Sequence, residues 1–373
     1  MILDAGSRFL VARHDLRMVR IAPDPDAPAR RALADGQARL AVEHFALTSN
    51  NITYGAFGDA MSYWGFFPTG DSASGCIPVW GFATVSESRC AGVEPGERFY
   101  GYYPMADEIV LQPVHVDANR FTDGASHRRE LHAIYNQYLR CSHDPLYREG
   151  DEALLALLRP LFTTSFLIDD FLADSAFFGA HRVLVSSASS KTAYGFGFCL
   201  AARRGQAGAV ASVGLTSAGN VDFTKGLGCY DEVLPYAEVT RLPADEPVVY
   251  VDMSGNAGLR AAIHGHWRDK LTYSCSVGGT HWEELGGGKG LPGPRPVLFF
   301  APAQAKKRAT ELGPARLQER IAATWADFLA RVREPGRPWL DVVEGHGRQA
   351  VEATYAALLD GTLPANEGRI LSV

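Results

Sequence analysis

The sequence predicts an α/β protein of two domains, the first rich in β-strands and the second a doubly wound parallel sheet. Three observations predict this fold class: a length of 373 residues, short strands of alternating polarity across residues 36–118, and repeated strand–helix units from Arg182 onward. A chain this long exceeds what one hydrophobic core usually serves, so two domains are expected. We place the first domain at residues 1–160, completed by residues 336–373, and the second at residues 161–335.

The composition is that of an ordinary globular protein and argues against several classes of function. Hydrophobic residues make up 46% of the chain, charged residues make up 21%, and the net charge is −6. A nucleic-acid-binding surface would be basic, and no apolar run reaches the roughly 18–20 residues of a membrane span. The N-terminus lacks the features of a signal peptide. We therefore expect a cytoplasmic protein whose partners include neither nucleic acid nor a membrane.

The first domain is predicted from strand-like segments that are followed by helical ones. Apolar and polar residues alternate in several segments, as is typical of half-buried strands: GQARLAVEHFAL, VWGFATVSES, GERFYGYYP and DEIVLQP. Across residues 125–173 the apolar spacing becomes that of helices, in RRELHAIYNQYLRC, EALLALLRPLF and SFLIDDFLA.

The second domain is predicted from strands that alternate with helical stretches. The strand segments are HRVLVSSAS, GAVASVGLTS, YDEVLPY, PVVYVDMSG, KLTYSCSVGG and PVLFFAP. Repeated strand–helix units predict a parallel sheet with helices on both faces. The helices RLQERIAATWADFLARV and GRQAVEATYAALLDG follow, and the closing RILSV is predicted to be a strand that returns to the first domain.

The turn after the first of these strands carries serines where a phosphate-binding turn usually carries glycines. Ser187, Ser190 and Ala193 stand at the glycine spacing of a dinucleotide-binding turn. Hydroxyl groups, a lysine and a helix N-terminus together favour an anion. The predicted cofactor contacts are Ser187, Ser190, Lys191 and Thr192. Two alternatives stay open here: the serines cap the helix, and Lys191 is solvated or polarises a substrate carbonyl.

The other strands of the predicted sheet also end in polar residues. Thr216, Ser217 and Asn220 stand where an acidic residue would repel a 2′-phosphate, which favours NADP(H) over NAD(H). Ligands of open parallel sheets bind at the carboxyl ends of the strands. We therefore predict further cofactor contacts at the ends of two later strands and beside the domain-linking helix, at Ser254, Gly278, Thr280 and Thr164. A plain polar loop would have the same composition, and that alternative stays open.

Several longer motifs carry a resemblance to a known superfamily. FALTSNNITYG resembles a strand and loop with an Asn-Pro-x-Asp motif, and GVEPGERFYGY, LGCYDEVLPY and the closing AVEATYAALLDG with GRILSV resemble further elements. Through them most of the chain resembles the medium-chain dehydrogenase/reductases, in the zinc-free quinone- and enoyl-reductase branch. The resemblance implies a GroES-like catalytic domain, a Rossmann domain that binds NADP(H), and a cofactor contact at Asn51. More narrowly, LRPLFTTSFLIDDFL, SSASSKTA and YWGFFP resemble domain of unknown function 2855.

The sequence departs from the zinc-dependent members of this superfamily at the positions of the metal ligands. Those members carry Cys or Asp and then a Gly-His-Glu motif, whereas this chain has Tyr54, Trp80 and Gly81 there. A catalytic zinc needs about three protein ligands. The cysteines occur singly and form no Cys-x-x-Cys pair, which indicates reduced core thiols. We therefore predict no metal site.

The segment Asn50–Pro68 is the predicted catalytic loop. It offers phenolic hydroxyls together with an apolar wall formed by Trp64, Phe66 and Phe67. In the enoyl-reductase branch a tyrosine in this loop protonates the product, and the resemblance assigns that role to Tyr63 first and Tyr54 second. A phenol with an ordinary pKa near 10 keeps its proton at neutral pH. The alternative is that both tyrosines are packing aromatics.

The resulting hypothesis is an NADPH-dependent reductase of an activated C=C or C=O bond in a small hydrophobic substrate. A second hypothesis keeps the fold with lyase, hydratase or isomerase chemistry, and a third is a non-catalytic protein that binds a nucleotide or another ligand. The segment PVLFFAP, as an edge strand of the sheet, is predicted to form a homodimer contact.

Overall fold

The computed structural model describes residues 7–23, 31–278 and 289–373. Its contacts divide the chain into two compact units: unit 1 is residues 1–159 with 341–373, and unit 2 is residues 160–340. The catalytic and cofactor-binding roles assigned to the two domains, and the boundaries given above, stay predictions.

The strands are as follows, in chain order. They are β1 Ser7–Ala12, β2 Asp15–Pro23, β3 Ala38–Leu47, β4 Ser74–Gly75, β5 Val79–Ser88, β6 Arg98–Tyr103, β7 Glu108–Leu111, β8 Pro113–Val114, β9 Arg120–Asp123, β10 Gln137–Arg140, β11 Arg182–Val185, β12 Ala211–Thr216, β13 Glu232–Pro235, β14 Val248–Asp252, β15 Leu271–Ser276, β16 Val297–Leu298, β17 Asp341–His346 and β18 Glu367–Ser372.

The α-helices complete the elements of the described residues. They are α1 Ser49–Ala56, α2 Glu152–Asp174, α3 Lys191–Ala201, α4 Val221–Leu227, α5 Ala257–Trp267, α6 Ala301–Leu312, α7 Pro314–Val332 and α8 Gly347–Leu359.

Unit 1 is built around a largely antiparallel sheet in the order β17-β18-β3-β5-β6-β10-β9-β8, with β7 also paired to β3, and a smaller sheet β2-β1-β4. Strand β3 alternates between buried and partly exposed residues over its first half, as expected for a strand with one face on the core. The closing strand β18 pairs antiparallel with β3, so the predicted return of the C-terminal strand to the first domain is confirmed.

Unit 2 contains a parallel sheet in the order β13-β12-β11-β14-β15-β16. Val183, Leu184 and Val185 of β11 are fully buried, because a strand in the middle of a parallel sheet is covered on both faces. Helix α5 packs Leu259, Ile263 and Trp267 into one core with strands of this sheet. The six predicted strand segments each contain a strand, and the predicted parallel sheet is confirmed.

The helix predicted for RRELHAIYNQYLRC is wrong. The structure has short 3-10 turns at Ser126–Arg128 and Ala133–Asn136, and then strand β10, which lies between β6 and β9. The reason is tertiary: as a strand, β10 stacks Tyr138 on Phe121, with ring centroids 5.0 Å apart. This pairing outweighs the weak helical preference of the segment.

Three boundaries also differ from the prediction. Strands β1 and β2 are absent from the prediction, and only the first part of the predicted loop Asn50–Pro68 lies in helix α1, which ends at Ala56. The predicted edge strand PVLFFAP is reduced to Val297 and Leu298. Helix α6 begins at Ala301 with a proline in its first turn, where the missing N–H costs nothing.

Candidate functional site

The serine turn of unit 2 is fixed by a buried hydrogen-bond network. Ser186 Oγ donates to Asp252 Oδ1 over 2.9 Å and accepts from the backbone N–H groups of Met253 and Ser254, at 3.0 and 3.1 Å. This one hydroxyl therefore ties the end of β11 to the end of β14.

Asp252 is the centre of that network. It is 1% exposed. Its Oδ1 also accepts from Ser254 Oγ and the Gly255 N–H, each at 2.9 Å. Its Oδ2 accepts from Arg260 Nε at 2.9 Å, and Arg260 is itself buried. A buried ion pair whose remaining lone pairs are hydrogen-bonded holds its geometry well, so the network fixes the shape of this edge of the sheet.

Ser187 and Ser190 have different local tasks. Ser187 has φ +50°, a conformation that favours glycine, and its N–H donates to Tyr236 Oη over 3.2 Å. Ser190 is the N-cap of α3, and its Oγ accepts from the Ala193 N–H. Capping of the helix by Ser190 is thus observed, while the cofactor contacts of both serines stay predictions.

Lys191 and Thr192 are the first two residues of α3 and are half-buried. The Thr192 carbonyl accepts from Ser165 Oγ over 2.7 Å. The predicted Thr164 hydroxyl instead bonds to the Pro160 carbonyl of its own helix. Ser165, rather than its neighbour, therefore joins α2 to the start of α3.

The other predicted cofactor residues lie at the same edge of the sheet. Thr216 Oγ1 donates to Ser189 Oγ over 3.2 Å, which brings the ends of β12 and β11 together. Ser217 is exposed and Asn220 half-buried in the turn that follows. A Cβ on Gly278 would lie 2.9 Å from the Met253 carbonyl oxygen, so that position requires glycine. Thr280 lies outside the described residues.

Ser186, Asp252, Arg260 and Tyr236 were missed by the sequence reasoning. Two signals were available for this group. Asp252 ends a fully buried strand, where a carboxylate needs a partner. Tyr236 is the last residue of the segment YDEVLPY and directly follows β13.

Unit 1 holds a group of packed aromatic rings that we call the tyrosine cluster. Neighbouring ring centroids lie 4.6–6.5 Å apart, a normal range for aromatic pairs. Its members are Tyr54, Tyr63, Phe66, Trp80, Tyr100, Tyr102 and Tyr135. The structure therefore brings the two predicted catalytic tyrosines together, with centroids 4.6 Å apart.

The two predicted tyrosines have different hydrogen bonds. Tyr54 Oη accepts from Asn50 Nδ2 at 2.7 Å and from Trp80 Nε1 at 3.2 Å. Tyr63 Oη lies 3.3 Å from Tyr135 Oη. Burial raises the pKa of both Tyr54 and Tyr63 above its ordinary value, although the donors from Trp80 and Asn50 oppose the rise at Tyr54. Both phenols therefore keep their protons at neutral pH.

Two further phenols of the cluster stand on strand β6. Tyr100 and Tyr102 are two residues apart and thus on the same face of the strand. Both are buried, and neither hydroxyl has a partner in hydrogen-bonding geometry, although the Tyr54 phenol is close enough to influence the ionisation of Tyr102. Trp80 stacks on the Tyr100 ring at 5.4 Å. The sequence signal was the alternation of aromatics in RFYGYY.

Asn51 has both of its side-chain polar atoms engaged within unit 1. Its Nδ2 donates to the Pro78 carbonyl over 2.8 Å, and its Oδ1 accepts from the N–H and hydroxyl of Thr48. The residue is 3% exposed. These hydrogen bonds stabilise the start of α1. The predicted cofactor contact of Asn51 stays a prediction.

The predicted apolar wall is buried, and two glycines lie against the ring of its Trp64. A Cβ on Gly58 or on Gly75 would collide with the Trp64 ring, so both positions need glycine. The Arg13 guanidinium lies over the same ring, 5.7 Å from its centroid. A cleft of about 450 Å³ beside it is lined by Trp64 and Pro68 together with polar side chains, including His127.

In the described parts of the chain, no helix is both long and apolar enough to cross a membrane. Among the same residues, no three His, Cys, Asp or Glu side chains come together as ligands for a metal ion.

Comparisons with known proteins identify the fold. A family model described as "Protein of unknown function (DUF2855)" matches residues 45–364, and no curated protein matches. The structure of CurA from Vibrio vulnificus in complex with NADPH is similar, with a TM-score of 0.59 and 13% identity over 100% of this chain and 98% of that one. The yhdH oxidoreductase from Salmonella enterica in complex with NADP is similar with a TM-score of 0.52 and 11% identity, over 98% of this chain and 99% of that one. A putative NADPH:quinone reductase from Bacillus thuringiensis is similar with a TM-score of 0.53 and 11% identity, over 98% of each chain.

These similarities confirm the predicted fold class, a β-rich domain combined with a parallel Rossmann-type sheet. At identities of 11–13% they establish the fold alone.

Proposed function

Because the chain belongs to the family described as protein of unknown function DUF2855, we propose its activity from the site itself. We propose that it is an NADPH-dependent, zinc-independent oxidoreductase that reduces an activated C=C or C=O bond in a small hydrophobic substrate. The observation that carries this proposal is the turn between β11 and α3, which lies at the carboxyl edge of a parallel sheet. That edge is where open sheets of this kind bind their ligands.

Unit 2 supplies the groups that suit a dinucleotide phosphate. The N-terminus of α3 presents a positive dipole end, and Lys191 is its first residue. Ser217 and Asn220 offer polar groups without a carboxylate, which suits the 2′-phosphate of NADP(H). When bound, NADPH supplies a hydride. Three similar structures, described as NADPH or NADP complexes or as an NADPH:quinone reductase, support this choice.

Unit 1 supplies groups that suit a hydrophobic substrate. The tyrosine cluster combines aromatic surface with phenols that stay protonated, as a general acid requires. Tyr63 and Tyr54 are the proposed catalytic residues. Independence of zinc is supported by the residue types at Tyr54, Trp80 and Gly81, none of which is a usual zinc ligand.

A non-redox activity or a ligand-binding role is the second candidate, and one observation favours it. The Ser187 N–H and the Ser190 hydroxyl already have protein partners, in Tyr236 and Ala193. A turn that uses its polar groups internally has fewer to offer a phosphate.

We also propose a homodimer through the edge strand β16. Val297, Leu298 and Phe300 are 47%, 64% and 40% exposed on the last strand of the sheet and just beyond it. An exposed apolar edge strand readily pairs with another chain. Leu298→Lys should shift the mass measured by light scattering from dimer to monomer, and an unchanged mass would contradict this interface. The expected cytoplasmic location stays a prediction.

The first experiment is titration of the purified protein with NADPH and NADH, followed by nicotinamide fluorescence. We expect NADPH to bind more tightly, and Lys191→Ala to weaken it about tenfold, or ~1.4 kcal/mol, through loss of one charge–phosphate contact. Lys306→Ala, at an exposed lysine of α6, is the matched control. Absence of binding by either nucleotide would overturn the proposal and leave the non-redox candidate.

A further inference from the structure

We infer that Asn50 and Trp80 are positioning residues that make Tyr54 the proton donor of the tyrosine cluster. The inference deepens the proposed function and rests on it for the substrate that receives the proton. The inference adds two points to the proposed function. Tyr54, rather than Tyr63, is the main proton donor, and Asn50 and Trp80 position its hydroxyl.

The argument begins with the lone pairs of one oxygen. Tyr54 Oη accepts from Asn50 Nδ2 at 2.7 Å and from Trp80 Nε1 at 3.2 Å. An indole N–H only donates, and a phenolic oxygen has two lone pairs. With both lone pairs occupied, the Tyr54 O–H is directed away from these two donors. The Tyr102 phenol lies beside the same oxygen and also influences the pKa of Tyr54.

The same two donors stabilise the product of proton transfer. When Tyr54 gives up its proton, the charge develops on an oxygen that already receives two N–H groups. In a buried site such preorganised donors gain strength as the charge grows. Tyr54 is 5% exposed, so the phenolate would depend on these donors rather than on water.

Each donor is held in place by secondary structure. Asn50 and Tyr54 are four residues apart on α1, so their side chains are neighbours on one helix face. Trp80 projects from β5 and is fixed by stacking on Tyr100 at 5.4 Å, with an angle of 11° between the rings.

Tyr63 lacks such an arrangement. Its hydroxyl faces only that of Tyr135, at 3.3 Å, and either oxygen can be the donor. No N–H group is recorded on Tyr63 Oη among the described residues, so a phenolate there would lack comparable support.

The proposed step balances as follows for a conjugated enone. NADPH, when bound, would supply a hydride to the β-carbon, and Tyr54 would supply the proton to the α-carbon. The Tyr54 O–H bond breaks and a C–H bond forms, while the electron pair of the O–H bond stays on the phenolate oxygen. The phenolate then recovers a proton from water. The C=C bond is reduced and the nicotinamide is oxidised.

The first test measures the acidity of residue 54 and needs no turnover. Difluorotyrosine, an intrinsically more acidic phenol, is placed at position 54 and its pKa is followed by fluorine NMR. Trp80→Phe keeps the aromatic ring and removes the N–H, and Asn50→Asp replaces the amide by a carboxylate. Trp80→Phe should raise the pKa of residue 54 by about one unit, because it removes a donor to the anion. Asn50→Asp should raise it more, because it also places a carboxylate beside the phenolate. The same label at position 63, in the same variants, is the matched control and should shift little.

The second test compares two acceptors in the NADPH-dependent assay. Reduction of benzylideneacetone, an enone, requires a proton on carbon, whereas menadione, a quinone, is protonated on oxygen by solvent. Tyr54→Phe should lower kcat with the enone about 10²-fold or more, and Trp80→Phe about tenfold. Both variants should lower kcat with menadione less than kcat with the enone. Tyr63→Phe should lower kcat with the enone less than Tyr54→Phe does.

The outcomes separate the two proposals. If neither acceptor is reduced, the proposed function fails and the pKa measurement still decides the inference. If the pKa of residue 54 is unchanged in Trp80→Phe and Asn50→Asp, the inference is overturned. Equal losses with both acceptors would also overturn it, because they would show a purely structural role.

Discussion

The serine turn of unit 2 and the tyrosine cluster of unit 1 are both rich in hydroxyl groups, but these groups differ in how far they are hydrogen-bonded. In the turn, Ser186 makes three hydrogen bonds around one buried carboxylate. In the cluster, the buried hydroxyls of Tyr100 and Tyr102 have no partner in hydrogen-bonding geometry. A satisfied network gives a fixed shape, whereas unsatisfied buried hydroxyls are costly in a protein that does not use them. The turn is therefore a rigid scaffold for the proposed cofactor site, whereas the cluster contains buried hydroxyls that its packing does not use.

Removal of the carboxylate should produce the largest effect on the scaffold. Asp252→Ala leaves the buried Arg260 guanidinium without its carboxylate. We expect the free energy of unfolding to fall by about 3–5 kcal/mol, as for other broken buried ion pairs. Denaturant titration measures this. Glu238→Ala, which breaks the exposed pair with Arg241, is the control and should change the value by less than about 0.5 kcal/mol. Similar decreases in the free energy of unfolding of the two variants would contradict the structural role given to the Asp252–Arg260 pair.

Deletion of a single hydroxyl from each region tests this comparison, because the two deletions should change the free energy of unfolding in opposite directions. Ser186→Ala removes an acceptor from two buried backbone N–H groups, and should cost about 1–3 kcal/mol of stability. Tyr100→Phe removes a buried hydroxyl that has no partner, and should raise stability by about 1 kcal/mol. Thermal and denaturant unfolding of both variants under one set of conditions compares them. A loss of stability in Tyr100→Phe would mean that its hydroxyl has a structural task.

A glycine at position 187 tests the strain within the turn. Ser187 adopts φ +50°, which costs a non-glycine residue roughly 1–2 kcal/mol. Glycine removes that cost, but loses about 0.5–1 kcal/mol through the greater entropy of the unfolded chain. Ser187→Gly should therefore be neutral or stabilising by less than about 1 kcal/mol. Ser187→Val is the comparison variant and should be clearly destabilising in the same unfolding assay.

The smallest expected effect is that of alkaline pH on the cluster. Burial raises the pKa of Tyr54, Tyr63 and Tyr135. A phenol with a raised pKa stays protonated to higher pH, so the acid form persists beyond the ordinary pKa of about 10. The kcat for enone reduction should show no loss from phenol ionisation between about pH 7 and pH 9. A decline in that range that disappears in Tyr54→Phe would show that the phenol is more acidic than the structure implies.

The parts of the fold that local patterns encode could be predicted from the sequence. The strand–helix repeat of unit 2 follows from continuous buried runs such as Val183–Val185, and the helix after the serines follows from a capping residue at Ser190. The helix predicted for RRELHAIYNQYLRC is wrong, because the strand found there depends on stacking between Tyr138 and Phe121 from another strand. Such a contact leaves no local period in the sequence.

The candidate site was predicted less completely than the fold, for a related reason. The tyrosines of the predicted catalytic segment are evident in the sequence. Trp80 lies 26 residues beyond Tyr54, and its N–H contact with that phenol arises only in the folded protein. Asp252 meets Ser186 across 66 residues. Residue types reveal which groups are available for chemistry, whereas pairings between distant residues depend on strand order and register.

Trp64 and the glycines at positions 58 and 75 have a consequence for how this family diversifies. Each glycine leaves space for one part of the indole ring, so the three positions are not independent under mutation. A relative that retains tryptophan at this position should retain both glycines, and one that replaces it with a small residue is free to carry larger side chains at both. The three positions should therefore covary, and a single change at either glycine should be rare where the tryptophan is kept.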